Sequence, residues 1–107
     1  MQYITINNKK SFTFDISNPD DSPVILDDAT VKFIIKKDKN DLDSTAILSG
    51  EYVKPDTNIL MFEFSADQTK DLKEGVYSCA LKIFRVNAMN EEVWTDDLTI
   101  ARGVFYG

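Results

Sequence analysis

The chain has 107 residues, 43% apolar and 11% aromatic, which suits one modest hydrophobic core and excludes both a second domain and intrinsic disorder. Its 18 acidic against 12 basic side chains give a net charge of −6, so it lacks the cationic surplus that a phosphate backbone demands, and nucleic acid is not an expected partner. It has no histidine and a single cysteine, Cys79, which removes the commonest general base, the commonest metal ligand and any internal disulfide.

The opening residues, Met1, Gln2, Tyr3 and Ile4, do not form the basic segment and apolar run of a secretory leader. No apolar run approaches the ~20 residues that span a bilayer. The expectation is a soluble protein folded in a reducing cytoplasm, with no membrane partner.

Alternation with a period of two dominates the chain. A weak strand is predicted over residues 3–6, and Asn7 and Asn8 separate it from the next run. There, Phe12, Phe14 and Ile16 alternate with Ser11, Thr13 and Asp15, as in a half-buried strand. Asn18, Pro19, Asp20, Asp21, Ser22 and Pro23 then form a loop, because two prolines and several turn formers cannot continue a ladder. Val31, Phe33 and Ile35 face inward, against Thr30, Lys32, Ile34 and Lys36 facing out. Lys9-Lys10 and Lys36-Lys37 read as solvated residues at strand ends or edges, where they discourage aggregation.

A weaker strand covers residues 46–53, and residues 54–58 read as a tight link between antiparallel neighbours. Leu60, Phe62 and Phe64 make another alternating run. Ser65 and Gln68 then match a capping box, predicting a helical turn or two over residues 66–72, stopped by a left-handed Gly75. The longest strand covers residues 76–86, with Tyr77, Cys79, Leu81 and Ile83 on one face. A turn at residues 87–90 leads to a strand at 93–101, with an exit or edge strand at 104–106.

The polar constellations read as structure rather than chemistry. Asp38, Lys39, Asn40, Asp41, Leu42 and Asp43 briefly suggest a calcium loop. An EF-hand needs glycine and glutamate where Asp43 and Ser49 stand, so a surface loop is expected. Asp20-Asp21 and Asp27-Asp28 read as solvated loop carboxylates. Asp96 and Asp97 are neighbours on a strand and point to opposite faces, which suggests a bulge or interruption rather than a catalytic pair. Cys79, without a cationic neighbour in sequence, reads as an inert buried thiol. Trp94, Phe105 and Tyr106 either cap the core or form candidate contacts for a partner subunit, where aromatics are enriched.

From Thr30 to Gly107 the order of these signals resembles the amino-terminal domain of siphophage baseplate upper proteins and related small tail modules of phages and prophages. The resemblance is carried by the lysine-ended run 29–37, Leu60 to Phe64, and Ser65 to Thr69. It continues through Leu72, Gly75 and Tyr77, then Leu81-Lys82-Ile83, Val93-Trp94-Thr95 and the close at Ala101 to Val104. The spacing of Thr69, Leu72, Gly75 and Tyr77 is its most specific part. The chain departs from the family at Tyr77-Ser78-Cys79-Ala80-Leu81, where an aspartate is common, and at Asp96-Asp97-Leu98, where a glycine is common.

Together these readings predict one all-β domain over residues 1–107. Its fold is expected to be an immunoglobulin-like antiparallel β-sandwich of about seven or eight strands with one short helical turn. No catalytic, cofactor-binding or metal-ligating residues are expected, and no cofactor. What the resemblance implies is a structural protein of the virion tail or baseplate, contacting other tail subunits, with self-association as one option. The alternative is a carbohydrate- or cell-surface-binding domain using Trp94, Tyr52 and Tyr106 as stacking platforms.

Overall fold

A computed structural model describes residues 2–18, 20–22, 24–85 and 91–102, the side chains of Glu91 and Glu92 excepted. The described chain is mostly β. Its elements are β1 (Gln2–Thr5), β2 (Lys10–Asp15), β3 (Ala29–Lys36), β4 (Leu48–Val53), β5 (Ile59–Phe64), α1 (Ala66–Thr69), β6 (Gly75–Arg85) and β7 (Glu91–Ala101). They form a five-stranded sheet of order β1-β7-β6-β3-β4 and a two-stranded sheet, β2-β5.

The predicted strands that fall on described residues are present, but their pairing is not antiparallel throughout. β1 runs parallel to β7, with Ile4 opposite Ile100. Short links enforce antiparallel pairing only between consecutive strands. β1 and β7 are separated by the whole domain, so their relative direction is free of that constraint. The link at 54–58 also departs from expectation: it carries the chain from β4 in the large sheet to β5 in the small one.

The core lies between the sheets. Phe12, Phe62 and Phe64 of the small sheet project against Phe33 of β3, with ring centroids 4.7, 5.6 and 6.2 Å away. Val31, Phe33 and Ile35, predicted to face inward, are all inaccessible to solvent. Gly50 on β4 lets this packing close. A Cβ there would stand 2.8 Å from Cδ1 of Phe62, so the ring lies directly on the strand backbone.

One end of the core is closed by the segment after β5. The capping box forms as predicted: the Ser65 hydroxyl accepts from the Gln68 amide, and the Gln68 side chain accepts from the Ser65 amide. The helix ends at Thr69, shorter than expected, and Gly75 opens β6 with φ +157° rather than stopping a helix. Thr69 is fully buried and donates from Oγ1 to the carbonyl of Asn8, 2.8 Å away. That bond ties α1 to the crossing from β1 to β2. The Tyr77 hydroxyl reaches back to the carbonyl of Lys73 at 2.9 Å, fixing the loop between α1 and β6.

Candidate interaction surfaces

Trp94 lies on the inward face of β7, beyond the reach of β1, which pairs only with Leu98 to Ala101. It is half-buried. Its ring meets Phe14 edge-on at 5.0 Å and lies 6.4 Å from Phe33, so it joins the core on one side and stays open on the other. Phe105 and Tyr106 lie outside the described residues, as does the strand predicted at 104–106. Tyr52, on β4 at the far flank, packs edge-on against Phe62 at 5.2 Å and donates to the carbonyl of Met61. Tyr52 and Trp94 are therefore separated by the phenylalanine cluster and do not form one platform.

The loop 37–47 departs from the expectation of a plain surface loop. It folds back over the outer face of the large sheet, burying Ile34 and Ala80, which alternation assigns to solvent. Lys36, predicted to be solvated, is 5% exposed. Its ammonium donates to the carbonyls of Lys39 and Asp41 at 3.2 and 2.8 Å and to the Asp43 carboxylate at 3.1 Å. The stretch that hinted at a calcium loop thus wraps its oxygens around the chain's own cation. Asp43 also accepts from Lys82 at 2.9 Å, and this bond, followed by that of Lys36, holds its carboxyl below the usual aspartate range. A sequence signal for this exists, because Ile34 puts an apolar side chain on the outer face of β3 two residues before Lys36, so that face is not simply solvated.

Beside this loop runs a polar groove of about 470 Å³, floored by Ser78, Ala80, Thr95 and Asp97. Asp96 and Asp97 pair in regular register with Cys79 and Ser78, so the bulge predicted there is absent. The irregularity falls instead at Val93, where Leu81 stands opposite Trp94 but Lys82 stands opposite Glu92. Asp96 accepts from the Gln2 side chain at 3.2 Å, which lowers its pKa. Cys79 is buried, and burial pushes its thiol up to about 11, with the Asp96 charge adding to the effect. A thiol in that state is a poor nucleophile at neutral pH.

A second cavity, of about 450 Å³, opens where Trp94 is uncovered. Phe14, Leu81, Ile83 and Trp94 give it an apolar floor, and Asp15 and Asn18 stand at its rim. Asp15, Asp20, Asp21, Asp27, Asp28 and Asp56 all lie in the strand ends and loops at this end of the sheets. Arg85 is a counter-charge at this end, and it is engaged by Asp28.

No known protein family, curated protein or solved structure matches the chain. Among the described residues, no helix is long and apolar enough to cross a membrane.

Proposed function

We propose that this domain is a structural module of a bacteriophage or prophage tail or baseplate, built as an immunoglobulin-like sandwich and resident in the virion. It works through protein–protein contacts with other tail subunits, copies of itself among them, and not through catalysis.

The observation that carries the reading is the behaviour of Thr69, Leu72, Gly75 and Tyr77, the most specific part of the sequence resemblance. These residues act as one device: Thr69 anchors the strand crossing, Leu72 packs on the core, and Tyr77 fixes the loop that Gly75 releases into β6. Further support comes from how the reactive side chains are used. Cys79 is buried with a raised pKa, Asp43 is held between two ammonium groups, and Asp96 and Asp97 point to opposite faces.

Mass spectrometry of particles purified from an induced lysogen that encodes the chain tests this reading. The chain is expected at a constant ratio to the other tail proteins through density-gradient purification. Its loss from the particles during that purification would refute the assignment.

A further inference from the structure

The two sheets are unequal, and the difference leaves a ledge. The small sheet lies over β4 and β3, and its edge reaches β7 at one point: Tyr52 touches Phe62, Phe12 and Phe14 touch Phe33, and Phe14 meets Trp94. β7 and β1 extend past β2 with no described strand of the small sheet above them. At one end the crossing from β1 to β2 and the α1 segment cover this overhang, so Ile4, Leu98 and Ile100 are buried. Toward the other end the cover stops. Phe14 and Trp94 are half-buried, Val93 is 43% exposed, and all three line the cavity of about 450 Å³, whose rim carries Asp15, Asn18 and Arg85.

The same ledge is bordered by backbone that no described strand uses. Ile16 donates to the carbonyl of Asn58, and β2 pairs with β5 in unbroken register from Lys10 to Asp15. Antiparallel strands exchange hydrogen bonds at alternate residues, so Phe12 and Phe14 bond to β5. Ser11, Thr13 and Asp15 then turn their N–H and C=O groups to the opposite edge, which no described strand pairs. A floor of Phe14 and Trp94 beside donors and acceptors that no described strand pairs is the geometry for adding a strand.

The occupant is constrained by the overhang. A second copy pairing β2 against β2 would carry its own large sheet to the same side, and the projecting β7 and β1 of the two copies would collide. A lone extended segment carries no second large sheet and so escapes that collision. The acidic residues at the open end, Asp15, Asp20 and Asp21 among them, favour a segment that is basic where it leaves the ledge.

We propose that the ledge docks a single extended strand of a partner protein, which pairs with β2 through Ser11, Thr13 and Asp15, sets alternate apolar side chains on Phe14 and Trp94, and presents lysine or arginine to the acidic end. This rests on the reading of the domain as a protein-contact module and names the chemistry of one contact.

The test uses the whole chain and a peptide of about ten residues, alternating valine and threonine and ending in lysines. In the free protein the Thr13 amide should exchange with solvent at least tenfold faster than those of Phe12 and Phe14. The peptide should slow exchange at Ser11, Thr13 and Asp15 and shift Trp94 emission to the blue. Thr13→Pro, which removes the edge donor where proline is tolerated, should weaken binding at least tenfold with little change in Tm. Replacing the peptide lysines by glutamate should weaken it severalfold.

Several results would overturn the proposal. They are a Thr13 amide already protected in the free chain, protection at β4 in place of β2, no binding at about 1 mM peptide, or a dimer by light scattering that Thr13→Pro dissociates. Strand binding by a chain that particles lack would sink the virion reading alone. A chain present in particles but indifferent to the peptide would sink the ledge alone.

Discussion

Lys36 shows how a single residue can reverse its sequence reading. Alternation places it on the solvent side of β3, and its side chain does point away from the aromatic core; what alternation does not supply is the loop 37–47 returning to cover it. Among the described residues, its ammonium has Asp43 as its one charged partner. Asp43→Asn leaves that cation with two carbonyls and should cost about 1–2 kcal/mol, the range of a charge-assisted hydrogen bond reduced for solvent exposure. The pH dependence has a definite sign. Asp43 has a lowered pKa when folded, so as pH falls the unfolded chain takes up its proton first. Its contribution is complete above about pH 5 and is lost as pH drops through the folded-state value. Denaturant titrations should therefore separate wild type from Asp43→Asn at pH 7 and draw them together as pH falls below the folded-state pKa of Asp43. Gly50 offers a second test. Gly50→Ala pushes a methyl group against Phe62, whose ring is held by Phe14, Phe33 and Tyr52, and should cost about 1–3 kcal/mol by overpacking. The double variant with Phe62→Leu should show a smaller penalty from the alanine than the single variant does.

At the scale of elements, local signals were legible and distant ones were not. The capping box could be read because Ser65 and Gln68 interact within a single turn. The strand faces could be read because alternation is set by the pleat. The destination of a chain after a turn is decided elsewhere: the link 54–58 was visible as a turn, yet Phe62 settling on Gly50 sends β5 into the other sheet. The parallel pairing of β1 with β7 likewise depends on both ends of the chain meeting, which no window of sequence contains. The same holds for Trp94, whose type suggested a contact surface while its half-open position on β7 came only with the unequal sheets. The Thr69 hydroxyl is the clearest element-scale contact to test, since it spans α1 and the β1–β2 crossing. Thr69→Val keeps the shape and removes the donor to Asn8, and should lower stability by about 1–2 kcal/mol. Thr69→Ser should retain more of it. Equal losses in the two variants, measured by urea unfolding, would show that the methyl group and not the hydroxyl carries the contact. Ser65→Ala, which removes the cap, should cost about 1 kcal/mol by the same measurement.

For the molecule as a whole, charge and shape point the same way. The apolar ledge and the acidic loops occur at the same end, while the Lys9–Glu63, Lys70–Asp67 and Arg102–Glu74 pairs largely neutralise the other. Under the proposed docking, that end would meet a basic, extended segment, while Cys79 is buried and Asp43 is paired with Lys36 and Lys82. The most direct measurement is electron microscopy of particles from a lysogen lacking only this chain. The account predicts tails that are missing or truncated, restored when the chain is supplied from a plasmid. Infective particles with complete tails in its absence would contradict it.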